Sequence, residues 1–112
     1  MAKYLKIATS GEMTTLDSGN KTADLAFLYE NTGSEMIQMI VLDGVTMWLD
    51  EEGKLRERAV NQIATQMFWD VFGPYSDIIV GDVVITADED EDGNLLGFTE
   101  EQISKIKELA LS

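Results

Sequence analysis

Neither cysteine nor histidine occurs in the chain. Without cysteine there is no disulfide framework, so the chain does not fit the pattern of a small secreted scaffold. Without either residue, no thiolate or imidazole zinc site can be built. Ser-His-Asp and Cys-His catalysis are excluded, as is any switch resting on histidine titration. Proline occurs once, as Pro74 after Gly73, and reads as a helix stop rather than a domain boundary. Arginine occurs only as Arg56 and Arg58. No apolar run approaches the roughly 18 residues that a membrane span requires. The start, Met1-Ala-Lys-Tyr-Leu-Lys-Ile7, is too short and polar for a signal peptide. A cytoplasmic protein with no membrane contact is expected.

What is present is enough for one modest core. The 112 residues are 45% hydrophobic and 8% aromatic, which points to a single domain over 1–112. The net charge is −13, from 21 acids against 8 bases, and it is uneven. Ten acids and no lysine or arginine lie between Asp70 and Glu101. A field of that sign repels nucleic acid and anionic lipid, and favours basic protein surfaces or cations.

Residues 3–9 alternate weakly and read as a strand. Residues 10–21 are rich in Gly, Ser, Thr and Asn and read as a loop. Thr22 can cap a helix over 23–32, with Leu25, Leu28 and Tyr29 on one face and Gly33 at its end. Residues 36–42 and 45–50 flank Asp43-Gly44, a pair suited to a two-residue hairpin turn. That register places Leu42 opposite Val45, Ile40 opposite Met47 and Met39 opposite Trp48. Both faces of the hairpin are then apolar, so the second face needs a helix, another strand layer or a partner. Residues 54–58 read as a charged connection or short strand. Asn61 can cap a helix over 62–72, with Ile63, Ala64, Met67, Phe68 and Val71 on one broad face. Residues 77–86 form a β-branched run in which Gly81-Asp82 is either a bulge or a tight turn. Thr99 with Gln102 makes a capping box for a last helix, whose apolar face is Ile103, Ile106, Leu109 and Ala110. The expected class is α+β: an antiparallel or mixed sheet of about four to five strands with two to three helices packed on it.

Several blocks appear together in a known order: Leu42-Asp-Gly-Val-Thr-Met47, Asp50-Glu-Glu-Gly-Lys-Leu55 and Val60-Asn-Gln-Ile-Ala-Thr65, then Asp77-Ile-Ile-Val-Gly-Asp-Val-Val-Ile-Thr86 and Phe98-Thr-Glu-Glu-Gln102. In these the chain resembles a family of small phage and plasmid proteins, the domain of unknown function 3846. Where that family usually has Leu-Pro before the asparagine, this chain has Ala59-Val60. The resemblance carries no catalytic residues. It implies a phage or mobile-element setting, in which small acidic proteins often block host defence.

Four constellations bear on function. The first is the acidic stretch itself. Asp70, Asp77, Asp82, Asp88, Glu89, Asp90, Glu91 and Asp92 could imitate a nucleic-acid backbone and occupy the cleft of a basic host protein. The competing reading is a solubilising face. Second, Asp88, Asp90, Asp92 and Gly93 match the opening of a calcium-binding EF-hand loop. Thr99 stands where the bidentate Glu belongs, so a plain solvated turn competes strongly. Third, Arg56 and Arg58, with Asn61 and Trp48, could hold an anionic nucleotide, against salt bridging to Glu51, Glu52 or Glu57. Fourth, Trp48, Met39 and Met47 could form a binding groove or a homo-oligomer seam through the 36–50 hairpin, against plain core packing, while Trp69 is a candidate exposed anchor. No cofactor and no catalytic set is indicated. The leading expectation is a non-enzymatic acidic protein that inhibits a basic, nucleic-acid-binding defence protein in the host cytoplasm.

Overall fold

The computed structural model describes residues 3–17, 25–42, 44–87 and 96–110. Five strands form one antiparallel sheet: β1 (Lys3–Ile7), β2 (Met13–Asp17), β3 (Ile37–Val41), β4 (Val45–Asp50) and β5 (Val83–Ala87). Their order is β2-β1-β5-β4-β3, so the last strand in sequence is the central one. Three helices accompany them: α1 (Leu25–Thr32), α2 (Gln62–Phe72) and α3 (Glu100–Ala110). The fold is α+β.

Strand alternation divides the core in two. Leu5, Ile7, Met47, Leu49, Val83 and Ile85 point to one side and pack against Ala64 of α2 and Ile103 of α3. Tyr4, Trp48 and Val84 point to the other and pack against Leu28 of α1. The sheet therefore lies between helices, which explains why the hairpin and the 83–87 run are apolar at nearly every position. On the second apolar face of the hairpin α1 covers Trp48 and leaves Met39 and Val41 exposed. Val83, Val84, Ile85 and Thr86 are all buried because β5 is covered on both faces and paired on both edges.

The hairpin register is the one expected from its turn, with Met39 opposite Trp48 and Ile40 opposite Met47, closed by Leu42 N–H to the Val45 carbonyl at 2.8 Å. Asp43 lies outside the described residues. Gly44 has φ of 80°, the region that glycine enters without a Cβ penalty. Asn61 caps α2, accepting the Ala64 N–H at 3.1 Å. The Thr99 and Gln102 capping box opens α3, with reciprocal bonds of 2.8 and 3.1 Å. Gly33 ends α1 as expected, at φ 70°; the proposed cap, Thr22, lies outside the described residues.

One expectation needs correction, and two open readings are resolved. Residues 10–21 are not all loop: β2 occupies 13–17 and pairs with β1 along its whole length. It is an edge strand with a threonine pair at its centre, and Met13 and Leu16 alone pack against the core, one on each face, which leaves a weak hydrophobic signal. Of the two readings of 54–58, the structure shows the charged connection and not the strand. Gly81-Asp82 is not a bulge within one strand, and the chain bends there. It separates β5 from an isolated bridge between Val60 and Val80. On the helices, Val71 and Leu109 stand exposed at the ends of faces expected to be buried.

Candidate functional site

An open groove of about 810 Å³ runs along the outer side of α2. Gln62, Gln66 and Trp69 lie at helical spacing and form one wall. After Gly73-Pro74 the chain folds back beside the helix, and Tyr75 and Ile78 form the other wall. The Tyr75 and Trp69 rings meet with centroids 5.0 Å apart, tilted by 50°. Tyr75 is 86% exposed and sits at φ 62°, a left-handed conformation that costs a non-glycine residue roughly 1–2 kcal/mol. The strained backbone thus holds a largely exposed aromatic ring against Trp69.

Polar contacts fix this groove. The Trp69 indole N–H donates to the Asp77 carbonyl. Thr65 accepts from Ile79 N–H at 2.9 Å and donates to the Ile79 carbonyl at 3.2 Å, which anchors the returning segment on α2. At one end Lys54 donates to the Asp77 carboxylate. That bond, with the Ile78 N–H, holds the Asp77 carboxyl below its usual range despite partial burial. Gln66 lines the groove and donates to Asp70 at 2.9 Å, linking the groove to an exposed carboxylate. Of these residues only Trp69 and the acids Asp70 and Asp77 were singled out from sequence. The stripe at 62, 66 and 69, followed by Gly-Pro and then an aromatic, is the signal that could have found the rest.

Asp70, Asp77 and Asp82, described acids of the run, do not share one face. Asp77 and Asp82 sit before β5, toward the Asp50 end of the sheet, and each faces a lysine: Lys54 for Asp77, and Lys6 at 3.8 Å for Asp82. Asp82 also accepts the Thr9 N–H at 3.0 Å. Asp70 lies toward the opposite end, lining a depression with Leu42 and Val45. Val45 pairs with Ala87, the last described residue before the acidic stretch, and Ala87 N–H donates to the Leu96 carbonyl beyond it at 2.9 Å. Asp88, Glu89, Asp90, Glu91 and Asp92, including the calcium-loop candidates, lie outside the described residues. Among the described residues no cluster of potential metal ligands occurs.

Arg56, Arg58, Asn61 and Trp48 are not brought together in one pocket. Both arginines turn toward Asp50 rather than toward Glu51, Glu52 or Glu57. Arg58 Nε lies 2.6 Å from Asp50 Oδ2 and Arg56 Nε 3.8 Å from the same oxygen. Arg58 also donates to the Gly33 carbonyl at 2.8 Å. The Asp50 carboxylate is fully buried and accepts from Ser34 at 2.9 Å and from Glu52 N–H at 3.0 Å. Burial alone would raise its pKa; the bonds from Arg58, Glu52 N–H and Ser34, with the charge of Arg56, outweigh burial and lower it. The 480 Å³ depression beside Arg56 is also lined by Glu30 and Glu35, which oppose an anionic ligand there. Asn61 is 1% exposed, and its amide donates to the Ile7 and Gly81 carbonyls at 2.9 and 3.0 Å. Trp48 is buried on the α1 side of the sheet, its indole N–H donating to Thr86 at 3.0 Å. Met47 is likewise core, whereas Met39 is 48% exposed at the β3 edge.

Among the described residues no helix is long and apolar enough to cross a membrane. No curated protein and no solved structure matches the chain. A family model described as a domain of unknown function, DUF3846, matches residues 3–111. The blocks noted in the sequence thus sit within a match over nearly the whole chain, and the chain belongs to the DUF3846 family.

Proposed function

We propose that this chain is a non-enzymatic interaction protein that binds a basic partner protein. The observation that carries the reading is the exposed Tyr75 ring set against the half-buried Trp69 ring, next in sequence to the exposed acid Asp70. Asp70 and Glu101 are exposed and form no ion pair among the described residues, in a chain whose net charge is −13. The open face of an exposed aromatic ring accepts a lysine or arginine side chain through cation–π contact, worth about 0.5–1 kcal/mol at exposed sites. Nearby carboxylates speed the encounter and make it sensitive to salt. Among the described residues, the Asp50 and Asp77 carboxyls are both held as anions by cations. A general acid would need the opposite shift.

The finer reading is an inhibitor from a phage or mobile element, acting in the host cytoplasm. It would occupy the nucleic-acid cleft of a basic defence protein by presenting Asp70 and the 88–92 acids in place of phosphates. Duplex DNA carries one charge per ~1.7 Å of axis, a density that consecutive carboxylates approach.

The test uses the tagged chain as bait in host lysate at low and high salt, alongside Asp70→Lys, Tyr75→Gly and a triple Asp88/Asp90/Asp92→Lys variant. The expected result is a basic protein retained at low salt, released at high salt and lost from the variants. A retained protein indifferent to salt and to every variant would overturn the reading.

A further inference from the structure

We propose that the free edge of β3 joins a second copy of this chain, merging two sheets into one continuous antiparallel sheet. This contact is separate from the α2 groove and stands or falls independently of it.

The register fixes which backbone groups are available. Leu42 N–H bonds to Val45 and Glu51 N–H to the Met36 carbonyl, so the even-numbered residues of this strand pair with β4. The N–H and C=O groups of Ile37, Met39 and Val41 therefore point away from the sheet. Among the described residues nothing bonds to them. The side chains of Met39 and Val41 are 48% and 56% exposed on the side that α1 only partly covers.

Sheet edges are ordinarily blunted by charge, proline, a bulge or a covering element. Residues 36–42, Met-Ile-Gln-Met-Ile-Val-Leu, contain no charge and no proline, and the pairing with β4 runs without a bulge. The opposite edge differs: β2 ends on Asp17, and Lys107 of α3 reaches its Thr15 at 3.3 Å. One edge is guarded and the other is open.

The charge pattern selects the occupant. A basic partner would be drawn to carboxylates, and β3 offers none. A second copy carries the same −13, and an uncharged strand is the seam that lets two such chains approach. The strand is also self-complementary. Antiparallel pairing about a two-fold axis at Met39 sets Met39 against Met39 and Ile37 against Val41 in both directions. All three outward-facing residues then exchange backbone hydrogen bonds, and their side chains form one apolar strip.

The experiment is sedimentation equilibrium of the full chain across concentration and salt, with amide hydrogen exchange read at Ile37, Met39 and Val41. Two variants are compared. Met39→Pro removes an outward N–H without touching the β4 ladder, and Val41→Asp adds negative charge at the seam of two chains that are already acidic. Circular dichroism confirms that each stays folded. The expected result is a dimer that tightens as salt screens the mutual repulsion, protects those three amides, and is lost in both folded variants. Tyr75→Gly should leave it intact. A monomer at every concentration and salt, or a dimer that survives both variants, or one that weakens with salt as a basic-partner contact would, overturns the proposal. If only one variant folds, that variant decides.

Discussion

Replacing Arg58 with methionine should destabilise the fold by about 3 kcal/mol at neutral pH, and acid should shrink that deficit. The Asp50 carboxylate is fully buried and Arg58 is its closest cation, at 2.6 Å. Removing one partner of a buried pair leaves an uncompensated charge, which costs roughly 3–5 kcal/mol. The lower figure applies because Ser34 and Glu52 N–H still donate and Arg56 stays at 3.8 Å. At about 2.1 cal/mol/K per residue of unfolding entropy, that corresponds to a fall in Tm of roughly 12 °C. The pH dependence gives a second check. In the parent chain the Asp50 carboxyl is lowered, so its contribution is present above the ordinary carboxylate range near 3.8 and is lost as pH falls through the lowered value. Without Arg58 the largest of the contacts that offset burial is gone, so the Asp50 pKa moves upward. The variant then gains less stability than the parent as pH rises through the carboxylate range. Urea unfolding of both proteins between about pH 3 and 7 should show a gap that is wide at neutrality and narrows in acid. A deficit below about 1 kcal/mol, or one that does not change with pH, would refute a buried, charge-paired Asp50.

Three further outcomes follow from other contacts. Asn61→Ala should cost about 2–3 kcal/mol in urea unfolding, since it removes the α2 cap and strands the buried Ile7 and Gly81 carbonyls; a loss of only a few tenths would mean water replaces the amide. Tyr75→Gly should leave Tm unchanged or raised, because glycine relieves φ 62°, while abolishing capture of the basic partner; a fall in Tm of several degrees would assign the ring a packing role instead. Tyr4→Phe should be neutral or stabilising by up to about 1 kcal/mol, because the Tyr4 hydroxyl is buried with no hydrogen-bond partner among the described residues; a clear loss of stability would reveal a partner.

Local features were legible in the sequence, and long-range ones were not. Asp43-Gly44 permits one tight turn, and a two-residue turn fixes every pair in the hairpin, so Met39 opposite Trp48 could be read directly. The caps at Asn61 and Thr99 were equally plain, because capping is chemistry between residues three apart. β2 was hidden because an exposed edge strand needs no apolar alternation. Strand order was hidden because the insertion of β5 between β1 and β4 depends on faces that assemble only in three dimensions. Continuity in sequence also misled. The acids from Asp70 to Glu101 read as one surface, yet Asp77 and Asp82 precede β5 and take lysine partners, while the 88–92 acids follow it. The arginines were seen as a pair, but their partner was missed. Asp50 looked like the first residue of an acidic turn, and only the approach of Ser34 from the end of α1 shows why it is buried.

The position of β5 also bears on how the chain folds. The β1–β2 and β3–β4 hairpins are each local, and the sheet joins them only through β5, which pairs Leu5 with Ile85 on one edge and Met47 with Ile85 on the other. Two hairpins can form early, but closing the sheet must wait for a segment some eighty positions from the first strand, a high-contact-order step that slows folding. During synthesis from the N-terminus, both inner edges remain open until residue 87 has left the ribosome. In that interval the nascent chain presents the unpaired, β-branched-seeking edges of β1 and β4 to its surroundings. Its large negative charge, whatever it does in the finished protein, would then act as a deterrent to aggregation.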